Sequence, residues 1–238
     1  MSKAYADFGN SSLKMICSNF DKATYMRIDL SEKNIEERLS AYIAAHSISE
    51  ILIAAVAPRK YEKIFHIMHA EIGFVQKQQL FESMGMQYKG GIPGVDRMLN
   101  IRHVLRKRLF PAVVADIGSA VNVEVIDRRG TFIGGLIFPG PYMSLSALNT
   151  YAEALSDIER SALTTAARLG MSSPEAIGAG ITFSISSALN SLKGLLPLGE
   201  KEDFEFYLTG GAYSLIKNEL NFEHKYDSLF TLKGMEDL

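Results

Sequence analysis

The feature that most constrains this chain is a short unit that occurs twice. An apolar strand runs into Asp-x-Gly followed by polar residues, first as Asp7-Phe-Gly-Asn-Ser-Ser12 and again as Asp116-Ile-Gly-Ser119, after the apolar run Pro111-Ala-Val-Val-Ala115. Two such turns half a chain apart are hard to assign to unrelated hairpins. They point to two related α/β half-domains facing one central cleft, over residues 1–109 and 110–238. Gly94-Val-Asp-Arg97 sits at the junction, after the Gly/Pro turn Gly90-Gly-Ile-Pro-Gly94 and ahead of a helical segment, Met98 to Leu109.

The order of elements carries the same repeat. Tyr5–Gly9, Ser12–Ser18 and Ala23–Leu30 read as a three-strand meander joined by short turns. Ile35–His46 has helical spacing, Glu50–Val56 is an apolar run of buried-strand length broken by Pro58, and Tyr61–Ile72 reads as helix. Phe74–Phe81 reads as a weaker strand, giving βββαβαβ. The second half opens on another meander: Ala112–Ala115, Val121–Asp127 and Thr131–Phe138, the last two separated by Arg128-Arg-Gly130. Met143–Leu155 and Glu175–Leu195 read as helices; Gly178 and Gly180 in the second suggest tight packing on another backbone. A strand at Phe204–Leu208, the turn Thr209-Gly-Gly211, a helix at Ala212–Leu220 and a tail segment Leu229–Leu232 complete the chain.

Each motif has a chemical and a plain reading. At Asp7 to Lys14, Gly9 lets the backbone turn its N–H groups toward an oxyanion. Asn10, Ser11 and Ser12 add polar groups, Lys14 a positive charge, and Asp7 a carboxylate for hydrated magnesium. The same pattern describes an ordinary hairpin turn. In the second copy Gly118, Ser119 and Asn122 would grip phosphates, with Glu124 on the same strand face as Asn122. Gly210 and Gly211 permit close approach of a flat group or a phosphate, or make a plain strand-to-helix turn. Phosphoryl transfer to an alcohol needs a carboxylate to take the hydroxyl proton and cations to spread phosphate charge, and Asp96 with Arg97 supplies both. An aspartate is equally at home capping the following helix. The basic residues Arg102, Arg106, Lys107 and Arg108 read as a solvated helix face.

Bulk properties exclude several classes. A formal net charge of −2 offers no general basic surface for nucleic acid or anionic lipid. One cysteine, Cys17, rules out an intrachain disulfide framework and a Cys-based zinc site, and suits a reducing cytoplasm. No secretory leader and no apolar run near the about 20 residues of a membrane span is visible, so no membrane partner is expected. His66 and His69 are spaced i, i+3 with no evident third ligand, and read as surface residues. There is no Gly-x-x-x-x-Gly-Lys-[Ser/Thr] and no Gly-x-Gly-x-x-Gly, so a P-loop kinase is excluded.

Taken in order, these motifs resemble those of the type III pantothenate kinases, within the acetate and sugar kinase/Hsp70/actin superfamily. Asp7-x-Gly-Asn-Ser-x-x-Lys14 is similar to the family's first phosphate motif and Gly94-x-Asp-Arg97 to its substrate and catalytic motif. Asp116-x-Gly-Ser-Ala120 and Gly134-Gly-x-Ile-x-Pro-Gly140 resemble the second phosphate motif and the segment after it. Ser173-x-Glu-Ala-Ile-x-x-Gly180 resembles the segment that reaches pantothenate from a neighbouring subunit, and Thr209-Gly-Gly211 the adenosine-side motif. The resemblance implies two ribonuclease-H-like half-domains and transfer of the ATP γ-phosphoryl group to pantothenate, the first step toward coenzyme A. It implies Asp96 as general base, with Arg97, Gly94, Tyr88 and Ser173 at the substrate. It further implies magnesium, a monovalent cation (K⁺ or NH₄⁺) near Asp116, and a homodimer. Tyr88 stands one residue closer to Asp96 than the family pattern. Ser119, Asn122, Glu124, Ser173 and Ala212 also depart from usual family residues, which touches nucleotide and cation binding more than the Asp96 chemistry. The alternative is a non-catalytic relative serving as a binding or regulatory factor, since members of this family have been labelled accessory factors for transcription. The intact Asp7, Asp96, Arg97 and Asp116 favour the enzyme.

Overall fold

A computed structural model describes residues 2–56, 62–166, 168–197 and 203–238. The expected break at Pro58 and the start of the helix expected from Tyr61 lie outside the described residues. The chain forms two compact units, Met1–Lys107 with Leu229–Leu238, and Arg108–Ser228.

The first unit holds strands β1 (Ser2–Phe8), β2 (Ser12–Cys17), β3 (Met26–Asp29), β4 (Ile48–Ala55) and β5 (Glu71–Phe74) in the order β3-β2-β1-β4-β5. β1 pairs antiparallel with β2 and parallel with β4. Both faces of this sheet are covered, and strand alternation sorts the residues between them. Ala4, Ala6, Phe8, Leu13 and Met15 pack with Leu39, Tyr42 and Ile43 of helix α1 (Ile35–Ala45), and with Ile64 and Phe65 of α2 (Glu62–Ile67). Tyr5, Ile16 and Ala54 face the other way. They pack with Leu80 of α3 (Lys77–Ser83), Val95, Met98 and Leu99 of α4 (Val95–Lys107), and Leu232 of α8 (Phe230–Lys233). Asp7 and Lys14 share the strand parity of Tyr5 and Ile16, and so belong to the α4 face.

The second unit repeats the plan with β6 (Ala112–Ile117), β7 (Ala120–Ile126), β8 (Phe132–Pro139), β9 (Glu205–Thr209) and β10 (Lys225–Tyr226). Its order is β10-β9-β6-β7-β8. Counted from each unit's own first strand, both sheets read third-second-first-fourth-fifth, with the same antiparallel and parallel neighbours. The duplicated half-domains of the sequence reading are therefore present, each of ribonuclease-H-like type. Val113, Ala115, Ile117, Val121 and Val123 bury one face of the second sheet. They pack against Leu145 of α5 (Pro141–Tyr151), Ile181, Ile185 and Leu189 of α6 (Ser173–Asn190), and Ile216 of α7 (Tyr213–Ile216). Asp116, Asn122 and Thr209 have the opposite parity.

Several local expectations change. Residues Lys22–Thr24 form a 3-10 turn, because the Asp21 side chain accepts from the Ala23 N–H, so β3 starts at Met26. The expected strand Phe74–Phe81 is instead the end of β5 followed by α3. β5 is set by parallel pairing with β4 (Glu50↔Glu71), and Lys77-Gln-Gln supplies good helix formers. The helix expected over Ala212–Leu220 is the one turn of α7 plus a 3-10 segment at Lys217–Glu219. Gly178 does pack tightly, since a Cβ there would lie 1.9 Å from the Ala162 carbonyl oxygen, whereas Gly180 meets nothing. The last ten residues do not complete the second half, as residues 110–238 implied; they pack on α4 in the first unit, where Leu229, Leu232 and Met235 find buried apolar partners.

Candidate active-site residues

In the first unit the residues build upward from a hairpin and a helix start. The hairpin register places Lys14 directly across from Asp7. The Lys14 Nζ donates to Asp7 Oδ2 at 3.4 Å, both side chains being largely buried at 12% and 6% exposure. The turn closes through the Gly9 N–H donating to the Ser12 carbonyl at 3.0 Å. Gly9 does not need glycine's left-handed backbone, and an added Cβ would meet only Ser12 O at 3.4 Å. Its bare Cα therefore serves space in front of the turn more than conformation. Asn10 is exposed and Ser11 half-buried at the same turn.

Helix α4 begins at the junction motif. Gly90 and Gly91 take φ of +87° and +118°, a backbone only glycine adopts without strain, and so turn the chain into the helix. The Gly94 carbonyl accepts the Met98 N–H at 3.1 Å, making Gly94 the first helical acceptor. A Cβ on Gly94 would lie 2.4 Å from Asp96 Oδ1, so glycine at this position makes room for the carboxylate. Burial raises the Asp96 carboxyl above the ordinary carboxylate range, the charge of Asp7 adds to that, and the Arg97 N–H and guanidinium partly offset it. Arg97 is buried; its Nη1 donates to the Tyr88 hydroxyl at 3.1 Å, and its guanidinium lies 5.8 Å from the Tyr88 ring centre. Asp7, Lys14, Tyr88, Asp96 and Arg97 thus form one polar group on the α4 face of the first sheet. Sequence reading missed Tyr25, whose phenol titrates high through burial and is influenced by Lys14 and Asp7. Only its place just after a turn distinguished it.

In the second unit, Asp116 faces Asn122 across the β6–β7 hairpin and Thr209 across the parallel β6–β9 pair. Gly118 closes its turn by donating to the Ala120 carbonyl at 3.0 Å. Gly210 takes φ +98°, and a Cβ on it would lie 2.4 Å from Ile117 O and 2.5 Å from Asp116 Oδ1. Gly140 donates to Ser119 O at 2.9 Å, with its own missing Cβ 2.1 Å from Gly118 O. Asp116, Gly118, Ser119, Gly140 and Gly210 therefore converge, with Asn122 and the buried Thr209 on the same sheet face. Glu124, fully buried, lies opposite Val114 and Gly135 on that face as well. Sequence reading also missed the aromatic group beyond Gly211. Tyr213 and Tyr226 stack at 4.0 Å and 9°, and the Tyr226 hydroxyl donates to Gly210 O at 3.4 Å. Ser173 stands apart from this convergence. It opens α6, exposed, beside a groove of about 960 Å³ whose lining includes Ser172, Pro174 and Glu175.

Among the described residues no group of three or more His, Cys, Asp or Glu is arranged to hold a metal, His66 and His69 included. No helix among them is long and apolar enough to cross a membrane. A magnesium ion that takes most of its ligands from phosphate and water still fits Asp7, where two mutually repelling carboxylates, Asp7 and Asp96, gain from a divalent charge. Asp116 Oδ1 and Ile117 O pack directly against the bare Cα of Gly210.

Two five-stranded half-domains of one strand order, each with an acidic hairpin, make up the fold. The family model described as type III pantothenate kinase matches residues 5–193, and the chain belongs to that family of enzymes. It is 25% identical over 203 residues to the type III pantothenate kinase of Persephonella marina, covering 81% of this chain and 76% of that one. It is 24% identical over 242 residues to that of Pelagibacter ubique, covering 96% and 95%. Its fold is similar to a crystal structure described as a conserved Baf family transcriptional activator from Campylobacter jejuni, with TM-score 0.59 and 18% identity over 98% and 95% of the two chains.

Proposed function

We propose that the protein transfers the γ-phosphoryl group of ATP to the hydroxyl of pantothenate, giving 4′-phosphopantothenate, the first step of coenzyme A biosynthesis. The observation that carries this reading is the Asp96–Arg97 pair at the start of α4, beside Asp7 and Lys14, in a chain of this family. Asp96 accepts the hydroxyl proton, and the freed oxygen pair attacks the γ-phosphorus as its bond to the bridging oxygen of ADP breaks. Arg97, steadied by Tyr88, holds the pantothenate carboxylate, a planar group that suits a guanidinium. Gly94 leaves room beside Asp96, and Ser173 reaches the substrate of a second copy in a homodimer.

Within the first unit, Lys14 with the N–H groups around Gly9, Asn10 and Ser11 suits phosphate oxygens; within the second, Gly118, Ser119 and Asn122 suit phosphate, and Gly210 and Gly211 a nucleoside. Asp7 would hold magnesium and Asp116 a monovalent cation, each supplying positive charge toward the phosphates. We place the reaction in the cytoplasm, where the single thiol of Cys17 stays reduced.

The test is coupled ADP release from purified protein with ATP, magnesium and potassium. ADP should form only when pantothenate is added, and Asp96→Asn should lower kcat by about 10²–10⁴ while the melting temperature holds. A variant that keeps most of its turnover removes the base assignment. The base works ionised, and burial and Asp7 raise its pKa. Activity should therefore fall as pH drops through a value above the about 3.9 of a free aspartate. A flat profile down to that value would contradict the buried-base reading.

A further inference from the structure

Helix α4 carries Asp96 and Arg97 in its first turn, and the segment Leu229–Asp237 grips the rest of it. Thr231 Oγ1 donates to Asn100 Oδ1 at 2.9 Å, both residues being buried. Arg102 Nη1 donates to the carbonyls of Gly234 at 2.6 Å and Glu236 at 2.8 Å. Arg106 Nη1 donates to Glu236 O at 2.7 Å and pairs with the Glu236 and Asp237 carboxylates, and Lys107 pairs with Glu236 at 2.9 Å. Gly234 lies so close to the helix that a Cβ there would sit 2.2 Å from Leu99 O and 2.7 Å from Leu99 C. His103 meets the Phe230 ring edge-on at 4.6 Å.

Leu99, Arg102, His103 and Arg106 recur at helical spacing and form one stripe, with Asp96 a turn ahead of it. An α-helix rotates about 100° per residue, so contacts along one stripe fix its rotation about its own axis and its axial position. The basic face that reads as solvated in the sequence is, at Arg102 and Arg106, a set of donors aimed at backbone carbonyls. Two hydrogen bonds from one guanidinium to carbonyls two residues apart are more than apolar packing needs.

We propose that the segment Leu229–Asp237 is a strap that positions the catalytic helix, with Arg102 its principal positioning residue and Thr231 its buried pin. A general base must be held to within a fraction of an ångström of its proton, so a small rotation of α4 costs turnover more than binding. This inference rests on the Asp96 reading above.

The experiment compares the full-length wild type with Arg102→Met, Thr231→Val and Asp96→Asn. Steady-state kinetics are run from pH 5 to 9, with a melting curve for each. Arg102→Met keeps the apolar stem and loses both donors. It should lower kcat about tenfold, with KM for pantothenate and for ATP within about twofold of wild type. Arg38→Met, which removes a surface pair with Glu32 in the same unit, should leave kcat unchanged. If folded Arg102→Met has wild-type kcat, the strap has no positioning role and the base reading stands. If Arg102→Met does not fold, Thr231→Val decides by the same criteria, with about a threefold fall in kcat expected and an unchanged value overturning the proposal. If Asp96→Asn remains active, the base reading fails and the strap proposal falls with it.

Discussion

Each hairpin of the repeated unit sets one residue across from its aspartate, seven positions on in the first and six in the second, where the turn is one residue shorter. Across from Asp7 stands Lys14; across from Asp116 stands Asn122. In the first unit the carboxylate is held by an ammonium in a largely buried ion pair, which is costly to break because either charge alone would be left without compensation. In the second the carboxylate faces an amide and lies over the bare Cα of Gly210. The same backbone unit is thus specialised twice. One copy sets an ammonium across from its carboxylate, while the other sets an amide there and packs Gly210 against the carboxylate. A duplicated fold supplies the frame, and one cross-strand residue decides which charge each copy presents.

Three sets of variants would break or sharpen this contrast. The largest effect is expected at the ammonium. Lys14→Met should reduce kcat/KM for ATP by about 10²–10³, and Asn122→Ala by less than about tenfold, in the same coupled assay. Equal losses would mean that the two hairpins grip alike. Next, the turn glycines should separate from their neighbour. Gly210→Ala forces a side chain into φ +98° and into Ile117 O, and should cost about 3 kcal/mol of stability in urea denaturation. Gly9→Ala, with an ordinary 3.4 Å contact, should change stability by under about 0.5 kcal/mol yet raise KM for ATP. If Gly9→Ala leaves KM unchanged, the open space before that turn has no role in binding. The smallest effect is the most pointed. Asn122→Lys makes the second hairpin resemble the first, and should shrink activation by potassium by a few-fold in rates titrated against K⁺. Undiminished activation would place the cation away from Asp116.

Much of the candidate site was legible in the sequence because its residues are local. Asp7, Gly9 and Lys14 occupy one hairpin, and Gly94, Asp96 and Arg97 one helix start, so spacing alone groups them. Tyr25 and the Tyr213–Tyr226 stack escaped notice because nothing local marks them; they join their groups through sheet packing. The same holds for α3. Phe74-Val-Gln-Lys-Gln-Gln-Leu-Phe81 has apolar ends that suit either period, and the β4–β5 pairing ends the strand at Phe74.

By itself the sequence determined the two-fold repeat, the strand-turn chemistry around Asp7 and Asp116, and the helix bearing Asp96, because each follows from residues a few positions apart. Only the tertiary structure decided three things. Strand parity and register put Asp7 and Lys14 on the α4 face beside Asp96. The approach of Gly210 and Gly140 to the second hairpin fixed which glycines it depends on. The return of Leu229–Asp237 to α4, 130 positions from its partner in the Arg106–Glu236 bond, turned a plain basic helix face into a set of donors to that segment's carbonyls. Contacts between residues so distant in the chain depend on how the sheet and helices pack, which no local pattern encodes.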